Sequence, residues 1–177
     1  MSFPTQEAFI YAGTWDETTR KHPAMKWMEH YTKNVVDARR FDEPAVGHTP
    51  EWTLQKSTGE VVEGAEKAWA ALEEVYAPFS EQVHDPSFLV CWETEKGWDM
   101  IGIANLWYNL QAPGEGKMKG YGGKEWDGVL PGAFKFSYVK GGDDGVQLAR
   151  TDIFSDPSAA LVQMLKRGML KPEQLTA

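Results

Sequence analysis

Four apolar, aromatic-rich segments in the second half of the chain limit it to a few architectures. They lie at residues 88–94, 98–109, 132–140 and 146–154. Their Val, Ile, Phe, Tyr and Trp content is typical of β-strands. Residues 95–97 join the first two segments, and the glycine-rich residues 141–145 join the last two. Because strands joined by short turns pair antiparallel, the pattern predicts an antiparallel sheet and disfavours a parallel sheet with alternating helices.

Helical periodicity precedes these strands. Pro23 begins a helix that fades near Arg40, and its apolar residues recur at helical spacing: Trp27, Met28, Tyr31 and Val35. A clearer amphipathic stripe covers residues 65–79, where Pro78 limits the helix. Residues 51–56 and 60–63 are short strand candidates between the two helices.

A third helix closes the chain. Asp156 caps it, Pro157 occupies its first position, and Gly168 ends it. Helices grouped apart from consecutive strands predict the α+β class, with a curved antiparallel sheet that is covered by helices on one face. We expect residues 1–22 to form an N-terminal arm or lid and residues 23–177 to form a single α+β domain.

The composition indicates an acidic globular protein. Of its 177 residues, 42% are hydrophobic and 12% are aromatic, and the formal net charge is −8 at pH 7. An acidic surface repels nucleic-acid phosphates and anionic membranes, so neither is expected as a partner. The aromatic supply suits a core or a ligand cavity.

The single cysteine and the N-terminus favour a cytoplasmic location. Cys91 lies between Val90 and Trp92, and one thiol can form neither an internal disulfide nor a multi-cysteine zinc site. We expect it to be an inert core thiol. Residues 1–5 carry no basic and apolar signal pattern, and no apolar run approaches the ~18 residues of a membrane span.

Four segments resemble the SnoaL-like branch of the nuclear transport factor 2-like superfamily. They are VVDARR at 35–40, GEVVEGA at 59–65, FKFSY at 134–138 and LARTDIF at 148–154. The resemblance implies a sheet wrapped around helices as a cone with an internal pocket. It also implies frequent homodimers and functions that range from isomerases, dehydratases, cyclases and epoxide hydrolases to non-catalytic binders. The fold does not choose among these functions.

The first hairpin carries a candidate ligand-binding face. If Lys96-Gly97 is a two-residue turn, Thr94 faces Asp99, and seven residues share one face: Phe88, Val90, Trp92, Ile101, Ile103, Asn105 and Trp107. Because that face is apolar, we predict that it points inward. The Asn105 amide then holds a ligand oxygen, or it is satisfied by the backbone or a bulge.

Arg150 and Asp152 form a second candidate site. Residues two apart on a strand share a face, here together with Leu148 and Phe154. The pair is either an acid/base couple or a structural or dimer-interface ion pair. The Arg-x-Asp pairing is similar to the acid/base arrangement of epoxide hydrolases of this fold, which also use a second carboxylate that the sequence does not identify.

Tyr31 and His84 are further candidates. Tyr31 lies on the apolar stripe of the first helix, and the resemblance implies that a tyrosine there holds an enolate oxygen; the alternative is a core tyrosine. His84 precedes a strand and is a candidate general acid/base, or a structural histidine. Asp37 lies off the stripe and is predicted to be solvated.

The remaining histidines and glycines predict no bound group. His22, His30 and His48 lack metal-ligand spacing, so no metal and no cofactor is expected. The glycines within residues 111–128 lack phosphate-loop spacing, and this segment is predicted to be a long loop that is a lid or is disordered.

These observations lead to two functional hypotheses. The first is a cofactor-independent enzyme that acts on a small hydrophobic oxygenated metabolite by proton transfer, as an isomerase, dehydratase or cyclase. In it Asp152 and His84 move protons, Arg150 tunes Asp152, and Tyr31 and Asn105 hold the substrate oxygen, while the walls are Trp92, Trp107 and Phe136. The second is a non-catalytic ligand-binding or dimeric interaction module of the same fold.

Overall fold

The computed structural model describes residues 7–42 and 47–175, which form an α+β fold around one large, mostly antiparallel sheet. The strands are β1 (Ala8–Ala12), β2 (His48–Gln55), β3 (Val61–Glu63), β4 (Phe79–Glu93), β5 (Gly97–Leu110), β6 (Met118–Lys119), β7 (Glu125–Trp126), β8 (Gly128–Lys140) and β9 (Val146–Ser155). Seven of them form the main sheet in the order β1-β4-β5-β8-β9-β2-β3. Neighbours are antiparallel except β2 and β9, which are parallel.

Three α-helices accompany the sheet: α1 (Pro23–Tyr31), α2 (Ala65–Tyr76) and α3 (Ser158–Lys166). Most of their ends follow the predicted signals, but α1 ends at Tyr31 rather than near Arg40. Pro23 occupies the first turn of α1, and α2 ends before Pro78, which cannot donate a helical hydrogen bond. The Asp156 carboxylate accepts a hydrogen bond from the Ser158 N–H at 2.9 Å, at the start of α3. No helix in the described parts of the chain is both long and apolar enough to cross a membrane.

The core lies between α1, α2 and the inner face of the sheet. Its largest fully buried side chains include Trp52, Tyr108 and Tyr138. Tyr138 donates a hydrogen bond to the Met28 sulfur at 3.2 Å, which ties the sheet to α1. Burial of this much aromatic surface drives the sheet to curve over the helices, as the cone prediction required.

The hairpin between β4 and β5 differs from its predicted register. The Thr94 N–H donates to the Gly97 carbonyl at 2.9 Å, and Trp92 pairs with Asp99. The turn is therefore longer than the predicted Lys96-Gly97 turn, and the pairing is shifted by two residues. A shift of two preserves the face, so the seven predicted residues do lie together.

The orientation of that face was predicted wrongly. Ile101 and Ile103 are 44% and 50% exposed, whereas Met100 and Tyr108 on the other face of β5 are fully buried. Both faces of β5 carry apolar residues, so alternation alone could not distinguish inside from outside. Trp92, Asn105 and Trp107 therefore lie on the outer face.

Two bulges decide which side chains reach the interior. The pairing of β4 with β5 shifts between Pro86 and Phe88. Before this bulge the even-numbered residues of β4 point inward. After it the odd-numbered residues Leu89 and Cys91 point inward instead. A second shift occurs where Ser137 and Tyr138 of β8 meet β9. Leu148, before this shift, points inward, but Arg150 and Asp152 after it do not. The regular alternation assumed for β9 is therefore broken.

Two other segments have more structure than their composition indicated. Residues 8–12, within the expected arm or lid at 1–22, form edge strand β1 against β4. Within the predicted loop at 111–128, β6 and β7 form a two-stranded hairpin. The segment between Pro44 and Pro50 is also predicted to be a loop; part of it lies outside the described residues, and its described end belongs to β2.

Candidate active site

A cavity of about 180 Å³ lies between the inner face of the sheet and the helices α1 and α2. Its walls are mainly apolar and include Met28, Leu72, Val75, Phe79, Leu106 and Phe136. A smaller set of polar side chains interrupts them: Tyr31, Thr32, Ser57, Tyr76, His84, Thr151 and Ser155. An apolar cavity with few polar groups is the usual form of a small-molecule site.

Two residues that line this cavity, His84 and Tyr76, form a hydrogen-bonded chain with Asp37 behind them. His84 Nδ1 lies 2.6 Å from Asp37 Oδ1, and the His84 backbone N–H donates to Asp37 Oδ2 at 3.1 Å. On the other side of the ring, Nε2 lies 3.0 Å from the Tyr76 hydroxyl. The Asp37 side chain is 11% exposed and the His84 side chain is 22% exposed. A charged partner thus orients a histidine beside an apolar cavity.

The hydrogen bonds assign a tautomer to His84. An ionised Asp37 can only accept, so Nδ1 carries the proton that faces it. In the neutral imidazole, Nε2 is then the acceptor for the Tyr76 O–H. Burial, and then the charge of Asp37, raise the pKa of Tyr76 well above its ordinary value, so its phenol stays protonated at neutral pH.

A π turn brings Asp37 to His84. Residues Thr32–Val36 continue α1 as a π-helix, and the Asp37 N–H donates to the Thr32 carbonyl at 2.8 Å. The wider turn rotates Asp37 relative to a regular helix, and such turns are frequent at functional sites. The prediction that Asp37 is solvated is therefore wrong, because it assumed uninterrupted 3.6-residue periodicity.

A second tyrosine–histidine pair supports the same cavity. The Tyr31 hydroxyl lies 3.2 Å from His48 Nε2, and the Trp27 ring stacks on Tyr31 at a centroid distance of 4.9 Å. Burial, and then the proximity of Tyr76, raise the pKa of Tyr31 well above its ordinary value. Tyr31 is thus a fixed, neutral hydrogen-bonding group at the cavity wall.

Three of the predicted site residues, Tyr31, His84 and Phe136, line the cavity. Arg150 and Asp152 do not. The bulge in β9 turns Thr151 and Ile153 inward and leaves the ion pair on the outer face. There Arg150 Nε donates to both carboxylate oxygens of Asp152, at 2.8 and 3.0 Å.

Sequence reasoning missed Asp37, Tyr76 and His48. Tyr76 had a usable signal, since it lies on the apolar stripe of α2 eight residues before His84. The roles of Asp37 and His48 depend on contacts between segments far apart in the chain. Among the described residues, no three His, Cys, Asp or Glu side chains are grouped so that they could hold a metal ion.

No protein-family model and no curated protein sequence matches the chain. Solved structures do resemble it. A candidate scytalone dehydratase from Novosphingobium aromaticivorans is 12% identical with a TM-score of 0.59, over 76% of this chain and 82% of that one. Nuclear transport factor 2 from Cryptosporidium parvum is 10% identical with a TM-score of 0.58, over 82% of this chain and 100% of that one. A candidate polyketide cyclase from Xanthomonas campestris is 16% identical with a TM-score of 0.55, over 82% and 98%. At these identities the likeness establishes the fold alone, and this fold is the one that nuclear transport factor 2 and the other two structures have.

Proposed function

We propose that this protein is a cofactor-independent enzyme that acts on a small hydrophobic oxygenated metabolite by proton transfer. The observation that carries the proposal is the chain Asp37–His84–Tyr76 at the wall of an otherwise apolar cavity. A histidine oriented by a carboxylate is a general acid/base group suited to neutral pH. Arg150 and Asp152 lie on the other face of the sheet, so they take no part in the proposed chemistry, and the carboxylate beside the histidine is Asp37.

The proposed chemistry moves one proton and returns it. The substrate, bound against Tyr76, transfers a proton to the phenolic oxygen while the phenolic proton passes to His84 Nε2. Asp37 stabilises the imidazolium that results, and Tyr31 donates a hydrogen bond to the enolate oxygen formed on the substrate. Return of the proton to a different atom completes an isomerisation. Its delivery to a departing hydroxyl, which leaves as water, completes a dehydration.

The structural neighbours support this class over others. Two carry the names of a dehydratase and a polyketide cyclase, both of which match proton-transfer chemistry, and the SnoaL-like resemblance agrees with them. Nuclear transport factor 2 itself favours the second candidate function, a non-catalytic ligand-binding or interaction module. A measurement of substrate turnover distinguishes the enzyme from the non-catalytic module.

The test begins with metabolite profiles of cells with and without the gene. The compound that accumulates in the deletion strain is incubated with purified protein in D₂O, and deuterium incorporation is followed by mass spectrometry. We expect His84→Gln, Asp37→Asn and Tyr76→Phe to reduce turnover by ~10²- to 10⁴-fold, the usual contribution of a general acid/base.

Matched controls keep this test specific. Tyr108→Phe removes a buried hydroxyl that does not line the cavity, and His30→Gln removes an exposed imidazole that contacts Asn34. Both are expected to retain turnover. If the compound binds but exchanges no proton and is not converted, the non-catalytic module is the better account.

We also infer that two copies pair through the outer sheet face. Register places five apolar residues side by side across five strands: Ala12, Phe88, Ile103, Ala133 and Phe154. Ile10, Val90 and Ile101 form a parallel row, and Ile10 is 65% exposed. An apolar surface of this extent is typical of an interface, and a second copy offers the same surface through a two-fold axis. A cytoplasmic location accords with this reading.

A further inference from the structure

The volume of the cavity limits the size of its ligand. At about 180 Å³ it is slightly larger than an apolar protein cavity of ~150 Å³ that accommodates benzene. One six-membered ring with a few small substituents fits such a space. A molecule of several fused rings exceeds it.

The lining also limits the charge of the ligand. The described residues that line the cavity include no Lys, Arg, Asp or Glu. The carboxylate of Asp37, behind His84, already accepts two hydrogen bonds from His84, and His84 Nε2 is engaged with the Tyr76 hydroxyl. A ligand carboxylate or phosphate would therefore lose its hydration and meet no permanent cation, which is strongly unfavourable. A neutral ligand meets no such cost.

Trp15 supplies a hydrogen-bond donor that the protein itself does not use. It lines the cavity and is 8% exposed, and its indole Nε1 is buried without a hydrogen-bond partner among the described residues. Two other buried indoles are satisfied: Trp52 donates to Thr151 at 3.1 Å and Trp69 donates to the Phe41 carbonyl at 3.1 Å. An unsatisfied buried donor is costly and favours binding of an acceptor.

The segment that carries Trp15 is held in place by its neighbour. Asp16 Oδ1 accepts hydrogen bonds from the backbone N–H groups of Thr18 and Thr19, at 2.7 and 3.1 Å. Asp16 Oδ2 accepts from the Tyr11 hydroxyl at 2.5 Å, which ties the segment to edge strand β1. The indole is therefore presented from an ordered turn.

We propose that the cavity selects a neutral compound of about one ring that carries an acceptor oxygen, and that the Trp15 N–H binds this oxygen. The proposal rests on the cavity being the site of the proposed function. It narrows the substrate class to small cyclic ketones, phenols and related compounds. It also gives Trp15 the role of a specificity-determining residue.

Four probes of graded chemistry test the proposal in binding titrations followed by protein NMR. 2-Cyclohexenone is neutral with a ketone oxygen, and 1-methylcyclohexene is an apolar compound of similar size. 1-Cyclohexene carboxylate adds a charge, and 1-tetralone adds a second ring. We expect the wild-type protein to bind 2-cyclohexenone more tightly than the other three.

Two variants isolate the indole N–H. Trp15→Phe is expected to raise the Kd for 2-cyclohexenone about tenfold, the effect of one lost hydrogen bond, while the Kd for 1-methylcyclohexene changes less than about twofold. Trp107→Phe is the matched control, because the Trp107 Nε1 is also buried without a partner in the described parts of the chain, but Trp107 does not line the cavity. It is expected to leave both Kd values unchanged. The apolar probe reports whether the cavity of each variant is intact.

Three outcomes would overturn the proposal. They are equal affinity of the wild-type protein and Trp15→Phe for 2-cyclohexenone, carboxylate binding at least as tight as ketone binding, and tighter binding of 1-tetralone. Binding is measured without turnover, so the enzyme proposal can fail while this one stands. Conversely, His84→Gln that binds 2-cyclohexenone normally but has lost turnover of the metabolite supports both.

Discussion

The roles of Asp37 and Gly97 each depend on one local feature of the backbone. Asp37 reaches His84 only because the π turn at Thr32–Val36 rotates it inward. Gly97 begins β5 where the β8 backbone approaches closely, so that a Cβ there would lie 2.2 Å from the Tyr138 carbonyl oxygen. In both cases the backbone geometry, rather than the chemistry of the residue alone, decides the role.

Gly97→Ala is therefore expected to lower the free energy of unfolding by ~1–3 kcal/mol, because a backbone carbonyl cannot move aside as a side chain could. Urea denaturation measures the change. Gly132→Ala provides a graded comparison, since its Cβ would meet Ser155 at 3.1 Å, and its cost should be smaller. Equal stability of Gly97→Ala and the wild-type protein would contradict the close approach.

Cys91 gives a second test at this scale. Its side chain is buried, and burial raises the pKa of the thiol to about 12. We expect no reaction with Ellman's reagent in the folded protein at pH 8 and one equivalent of reaction in denaturant. Because the thiol ionises more easily when unfolded, this group lowers the stability of the fold as the pH rises above about 9. Rapid labelling of the native protein would be inconsistent with burial.

The glycine-rich connection between β5 and β8 is held in place by α3. Arg167 donates to Asp127 at 2.7 and 2.8 Å, and the side chains are 9% and 2% exposed. Asp127 also accepts from the Leu110 N–H at 2.8 Å. Burial opposes ionisation of Asp127, but the hydrogen bonds from Arg167 and Leu110 outweigh it and lower the pKa. The helix thereby orders a segment whose composition indicated a loop.

Arg167→Met should destabilise the protein by ~3–5 kcal/mol at pH 7, because it removes the hydrogen-bonded cation of a buried carboxylate and leaves only Lys117, at 4.0 Å. The stabilisation from ionised Asp127 is complete above the ordinary aspartate pKa of about 4 and is lost as the pH falls through the lower pKa of the folded state. The difference between variant and wild type should therefore shrink in strong acid. Lys166→Met, on the exposed side of α3, is the control. Chemical denaturation at pH 7 and at lower pH measures both effects, and a loss independent of pH would exclude this account.

At the scale of the whole molecule, the sheet has two apolar faces, and only the inner face is covered by the helices. The inner face packs against the helices and forms the cavity. The outer face exposes Ile103 at 50% and Phe154 at 52%, beside the ion pair of Arg150 with Asp152. Water contact with so much apolar surface is unfavourable, which is the physical basis for the proposed homodimer.

Ile103→Lys should convert the dimer to a monomer, because two-fold pairing places the added charge, twice, in a buried interface. Light scattering after size exclusion should give twice the chain mass of 19.9 kDa for the wild-type protein and the chain mass for the variant. Val162→Lys, an exposed apolar position on α3, should leave the dimer intact. A wild-type protein that is monomeric at all concentrations would exclude this interface.

Local residue patterns were sufficient for the kinds and order of the elements. Apolar periodicity identified α2 and the late strands, Pro23 and Asp156 marked the starts of α1 and α3, and the resulting layout indicated the cone. Tyr31, His84 and Phe136 were assigned to the cavity in the same way. Such signals act within a few residues, so they can be recognised in an isolated sequence.

The features that the sequence did not predict depend on pairing between segments that are distant in the chain. Which face of β5 is inside depends on where the helices pack, and both of its faces are apolar. The bulges in β4 and β9 and the π turn after Tyr31 each shift the side chains that follow by one position, and no residue type marks them uniquely. These one-position shifts moved Asp152 out of the cavity wall and Asp37 into contact with His84, because burial of the whole core outweighs local regularity.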